Sequence, residues 1–221
     1  MTTTPYRYQF VAEPITSLSG QLLGVELQIR LEKEGQQVLH PELIVAGWST
    51  DEKRDYLYQQ LGRVAKQSAW IRGRNVLVTL PVFDAASAVL LSYDAALRGL
   101  LSTLPFVRLA LAEPIADVRD ELKGIHNAMW LSDVGGGRAN VTGLMSQHFE
   151  AVILNSIFFK EEVVKPTFPV LIKSLRRYCD KVVVRGVTDR RCLPVLQDAG
   201  IWGVQGSFYR QVPLEKLNWL L

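Results

Sequence analysis

The sequence predicts an α/β fold, a closed (β/α) barrel of eight strands whose first strand runs against the others. Three observations carry that prediction. Six short apolar runs separated by helical stretches recur along the chain: Val76 to Leu80, Val107 to Leu111, Met129 to Leu131, Ala151 to Leu154, Val182 to Val184 and Trp202 to Val204. Such alternation implies βαβ units and a mostly parallel sheet. A hairpin precedes them and brings the strand count from six to eight. The chain has 221 residues, 48% hydrophobic and 21% charged, which suits one sizeable core, so residues 1–221 are read as a single barrel domain. An open doubly wound sheet is the second choice.

In chain order, Tyr6 to Ala12 alternates, Ser17-Leu18-Ser19-Gly20 supplies turn chemistry, and Leu22 to Ile29 returns as the antiparallel partner. Pro41 opens a short helix reaching Trp48, and Ser49-Thr50-Asp51 caps a long one. Along that helix Leu57, Leu61, Val64, Ala65 and Ala69 recur at helical spacing and give it one buried face. From Val76 onward strands and helices alternate. No Gly-x-Gly-x-x-Gly follows the first strand and no P-loop lysine is present, so a Rossmann or P-loop nucleotide site has nothing to hold it.

The net charge is +3, but lysines and arginines are spread along the chain, which argues against direct nucleic-acid binding. Cys179 and Cys192 lack Cys-x-x-Cys spacing and a histidine pair, so they are read as reduced thiols. Met1 to Tyr6 is short and polar, with no charged and apolar leader behind it, and no apolar stretch approaches the roughly 18–20 residues of a membrane span. The expected location is the cytoplasm.

Strand C-termini in such a barrel converge on one mouth. Here they deliver Glu26, Thr79, Glu113, Ser132, Asp133, Asn155, Arg185 and Gln205. Glu26, Glu113 and Asp133 offer oxygen ligands for one divalent cation. A two-metal hydrolytic site usually needs more anionic ligands and a base, and Arg185 is a cation where a carboxylate would serve. The loop Gly135-Gly136-Gly137-Arg138 has the setting of a phosphate cradle, yet glycines at βα turns more often provide positive φ or close packing, and that reading is preferred. His40, His126 and His148 are isolated and the five tryptophans are read as packing residues. The apolar end Trp219-Leu220-Leu221 is a candidate docking segment for a neighbouring element or a partner chain, and a homodimer is a separate expectation.

Glu13-Pro14-Ile15, Gly24-Val25-Glu26-Leu27-Gln28-Ile29-Arg30 and Leu39-His40-Pro41-Glu42-Leu43-Ile44 resemble the opening of EAL domains, the bacterial cyclic di-GMP phosphodiesterases. The order then holds. Val78-Thr79-Leu80 sits where that family has a metal-binding asparagine, and Leu111-Ala112-Glu113 where it has Thr-Glu. Ser132-Asp133-Val134-Gly135-Gly136-Gly137 resembles its Asp-Asp-Phe-Gly-Thr-Gly loop, and Ile153-Leu154-Asn155 its Lys-Ile-Asp. Arg185-Gly186-Val187 stands for its Glu-Gly-Val and Val204-Gln205-Gly206 for its Gln-Gly signature. The resemblance spans nearly the whole chain and implies a TIM-like (β/α)8 barrel with an antiparallel first strand.

It also implies a decayed site. Glu26, Glu113, Asp133 and Gln205 keep the family's residue types, and Arg30 keeps an arginine that helps hold the dinucleotide phosphate. Thr79, Ser132, Ile153, Asn155 and Arg185 do not, Glu13 replaces a usual Gln, and the signature reads Glu26-Leu27-Gln28. A guanidinium in place of a carboxylate beside a divalent cation turns attraction into repulsion, and one unit pair at contact is worth about 4 kcal/mol at an effective dielectric near 20. At about 1.36 kcal/mol per tenfold in rate, that position alone removes decades of turnover. The expected function is therefore a non-enzymatic EAL-like regulator, without cofactor, that binds another protein such as a transcription regulator in cyclic di-GMP, motility or biofilm signalling. No attached sensor or output domain is expected, so a partner is expected to supply the output. A non-hydrolysing cyclic di-GMP receptor using Arg30, Glu113, Asp133 and Gln205 is the alternative, and residual phosphodiesterase activity a third.

Overall fold

In the computed structural model, residues 6–112, 121–122, 124–136 and 149–220 are described. The predicted hairpin is long: β1 (Arg7–Thr16) pairs antiparallel with β2 (Leu22–Lys33) in a register from Arg7 opposite Glu32 to Thr16 opposite Leu22. Its turn needs glycine. Gly20 has φ +89, its N–H donates to the Ser17 carbonyl at 3.0 Å, and a β-carbon there would stand 2.9 Å from the Tyr209 hydroxyl.

A two-residue strand β3 (Gln36–Gln37) extends β2, and the six apolar runs then appear as β4 (Leu77–Val82), β5 (Val107–Ala112), β6 (Met129–Val134), β7 (Phe149–Leu154), β8 (Cys179–Val184) and β9 (Gly203–Val204). Hydrogen bonding runs β1-β9-β8-β7-β6-β5-β4-β2, and β2 pairs back onto β1, so the eight strands close on themselves. All neighbours in this ring are parallel except β1, which opposes both β2 and β9. This is the TIM-like barrel with a reversed first strand that the sequence predicts. A short β10 (Val212–Pro213) lies outside the ring on β1.

Helices α1 (Pro41–Ala46) and α2 (Thr50–Lys66) start where the caps predict. Ser49 accepts from the Glu52 N–H, and Glu52 accepts from the Ser49 N–H at 2.9 Å, a reciprocal capping box. Leu57, Leu61 and Val64 are buried, but Ala69 is not on this helix. The chain closes α2 at Gln67 (φ −93, ψ 1), and Ala69 belongs to α3 (Ser68–Gly73). Then come α4 (Ala85–Tyr93), α5 (Ala95–Ser102), α6 (Ser156–Glu162), α7 (Phe168–Leu175) and α8 (Leu193–Asp198). Among the described residues no helix is long and apolar enough to cross a membrane. Cys179 and Cys192 are free thiols, and burial pushes Cys179 up to about 11.

Strand alternation sorts the core into two parts. Val152, Leu154, Val182 and Val184 face outward and join the helices in the larger cluster, whereas Ala151, Ile153 and Val183 face inward and pack with Ile15 and Trp130. Towards the strand N-termini this interior is floored by an ionic cluster. Glu150 accepts from Arg108 Nε at 2.5 Å, Trp130 Nε1 at 2.7 Å and Lys181 Nζ at 3.0 Å, and Trp130 meets Trp202 edge-on at 5.9 Å. Burial works to raise the Glu150 pKa, but the bonds from Arg108, Trp130 and Lys181 together carry it below the ordinary carboxylate range.

Candidate functional site

Val25 and Leu27 face the helices, so Glu26 between them projects into the opposite end of the ring, where only 5% of it is exposed. Its register neighbour on β4 is Thr79. Arg185 is the first residue beyond β8, and Gly186 (φ +77) then turns the chain where a β-carbon would stand 2.7 Å from Ser156 Cβ. Gln205 follows β9 and is 1% exposed. Its neighbour Gly206 lies so close to Val187 that a β-carbon would sit 2.0 Å from the Val187 carbonyl oxygen. These elements converge on one carboxylate. Arg185 Nη2 donates to Glu26 Oε1 and to Ser132 Oγ, the latter at 3.0 Å, while Gln205 Nε2 donates to Glu26 Oε2 at 2.9 Å.

Beside this cluster Asp133 sits at φ +63, a left-handed conformation that aspartate tolerates better than most residues. Asn155 Nδ2 donates to its Oδ1 at 2.7 Å. The same Asn155 caps α6, its Oδ1 accepting from Ile157 N at 2.8 Å and Phe158 N at 3.2 Å. In the adjoining glycine loop, a β-carbon on Gly135 (φ +87) would meet the Phe158 ring at 2.2 Å, and one on Gly136 would meet Asp133 Oδ2 at 2.5 Å. Close packing is what these two glycines provide, whereas Gly137 and Arg138 lie outside the described residues.

The wall above is polar. Arg30 Nη2 donates to Gln211 Oε1 at 3.2 Å, and Gln211 Nε2 donates to Glu13 Oε2 and Gln28 Oε1, both at 3.1 Å. Gln28 also donates to Glu13. Burial raises the Glu13 pKa, and the nearby Glu26 charge adds to the rise, against smaller opposing effects from Gln211, Arg185 and Gln28. The resulting cavity is about 610 Å³, with Glu26, Arg30, Leu39, Phe83, Asp133 and Arg185 among its lining.

The structure thus brings together Glu26, Arg30, Ser132, Asp133, Asn155, Arg185 and Gln205. Thr79 stands beside Glu26 on β4 but does not line the cavity: its hydroxyl is fully buried and without a hydrogen-bond partner among the described residues. Ile153, where the family has a lysine, fills the ring's interior with Ile15, Trp130 and Val183. Glu113 and His148 lie outside the described residues. Gln211 and Phe83 were not singled out from the sequence. Gln211 carries no local signal, because only the pairing of β10 with β1 brings it to Glu13.

A divalent cation would have to share Glu26, whose two oxygens each already accept one donor, and Asp133, whose Oδ1 accepts the Asn155 amide. The Arg185 guanidinium also stands against the carboxylate such an ion would have to use. Among the described residues no group of three or more His, Cys, Asp or Glu side chains is placed to hold a metal ion.

Comparison with known proteins bears on the fold. No family model matches the sequence, and neither does any curated protein. Solved structures do match. The EAL-like domain protein YdiV superposes with a TM-score of 0.86 at 17% identity, over 98% of this chain and 97% of that one. An EAL domain protein from Listeria monocytogenes EGD-e gives 0.73 at 18% identity, over 96% and 91%. The PaMucR phosphodiesterase in complex with cyclic di-GMP gives 0.69 at 18% identity, over 95% and 94%. The class defined by this ring is the EAL-like α/β barrel. The chain carries that fold throughout the described residues.

Proposed function

We propose that this chain is a non-hydrolysing EAL-like regulatory protein that acts by binding another protein, in cyclic di-GMP-related, motility or biofilm signalling. The observation that supports this reading is the engagement of Arg185 with Glu26 and Ser132 while Gln205 takes the other Glu26 oxygen. A carboxylate so committed is poorly placed to hold a metal ion or to take a proton from water, and Arg185 repels any cation brought to it. Recognition at the surface then carries function, and Leu39 and Leu43, 86% and 65% exposed at and beside the cavity edge, are available to it.

A second reading, a non-hydrolysing cyclic di-GMP receptor, is favoured by one feature: Arg30 lines an open cavity and is held there by Gln211, presenting a guanidinium to a phosphate. Titration calorimetry with cyclic di-GMP, with and without Mg²⁺ or Mn²⁺ and followed by product analysis, tests both. The expected result is no product. Heat without product selects the receptor reading, and product that disappears on Glu26→Ala would overturn both. For the protein partner, affinity capture from the native cell should recover one specific protein at fixed stoichiometry, and recovery of none would count against the proposal.

A further inference from the structure

We infer that Arg185 is a resident cation, standing in the mouth where a divalent ion would stand and turning the site into an ion-independent clasp of the strand ends. The inference rests on the reading that this mouth holds no divalent ion.

Glu26 is a buried carboxylate, and a buried charge is tolerated only when paired and hydrogen-bonded. Its donors come from beyond β8 and beyond β9, and the guanidinium is anchored in turn by Ser132 on β6. One carboxylate on β2 therefore gathers three other strand ends. The Gln205 bond has a special position, because β9 and β2 are separated in the ring by the reversed strand β1. Glu26 and Gln205 thus tie the two flanks of β1 to each other across it. A divalent ion makes such multi-strand links through oxygen ligands, and a planar guanidinium makes them through its N–H fork. Asn155 plays a smaller part of the same kind, offering Asp133 an amide N–H while capping α6.

Thermal unfolding of the full chain tests the inference, with wild type, Arg185→Met and Arg185→Glu each measured in EDTA and in excess Mg²⁺ or Mn²⁺. The wild type should melt at the same temperature in all three conditions. Arg185→Met should melt about 5–10 °C lower and ignore the ions, since it leaves a buried carboxylate short of its charge partner. Arg185→Glu sets a second carboxylate against Glu26 and should lose stability in EDTA but recover part of it when the ion is added. Should that variant be unfolded in EDTA, refolding on addition of Mn²⁺ is the supporting outcome. Stabilisation of the wild type by the ion, an Arg185→Met protein as stable as wild type, or an Arg185→Glu protein indifferent to ions would each overturn the inference. Melting is read independently of catalysis, so hydrolysis of cyclic di-GMP by the wild type would sink the proposed function while the clasp is judged on these results alone.

Discussion

Glu13 is a half-buried acid whose folded-state pKa is raised, chiefly by burial and then by Glu26. A raised pKa means that its stabilising contribution is complete below the unfolded value, about pH 4, and is lost as pH climbs through the folded value. Glu13→Gln keeps an acceptor for Gln28 and Gln211 and removes the charge. The variant should melt about 2–4 °C higher than wild type at pH 7, the shift that roughly 1 kcal/mol makes in a chain this long, with the gap closing near pH 4. Melting curves across that range check it, and a lower melting temperature at pH 7 would refute it. Other residues at this scale were legible to different degrees. Asn155 reads as the amide that replaces a family carboxylate, and in the structure it both donates to Asp133 and caps α6. Arg185 could be placed near three carboxylates from sequence but not assigned to one, because that choice depends on the ring's curvature.

Among the elements, every strand of the ring was legible and several were read short. Apolar runs record outward-facing residues and the lower interior, whereas inward positions near the mouth are polar, so Ser132 and Asp133 lie on β6 beyond the run that announced it. The floor was less visible, since Glu150, Arg108 and Lys181 sit far apart in sequence and meet only through β5, β7 and β8. Glu150 has a lowered folded-state pKa, so its contribution is present above the unfolded value and lost as pH falls through the folded one. Glu150→Gln keeps the shape and removes the negative charge that Arg108 and Lys181 share. Because the group is partly exposed, the expected cost is modest, about 1–2 kcal/mol at pH 7, with the two proteins converging as pH falls through the lowered folded-state value. Urea unfolding at pH 7 and in acid reads this, and a cost that persists unchanged into acid would contradict it.

For the whole molecule, floor and mouth lie at opposite ends of one interior. Lys181 on the floor and Arg185, the first residue past β8 in the mouth, are four residues apart in extended chain, about 13 Å at the usual rise. They share no hydrogen-bond partner among those described, so the destabilisations of Glu150→Gln and Arg185→Met should add within about 0.5 kcal/mol in the double variant. A larger coupling would show that the interior transmits strain from end to end. Overall architecture was the most legible level, because hairpin signals and strand-helix alternation are local and repeat along the chain. Site chemistry was less so, since it depends on which side chains meet. One consequence follows from the reversed strand: Thr16 must find Val204, so the seam joins the first strand of the ring to the last. During synthesis the hairpin emerges early and carries an unpaired edge until β9 has left the ribosome, which makes sealing of the ring a late, high-contact-order step and that edge the segment most in need of shelter in the nascent chain.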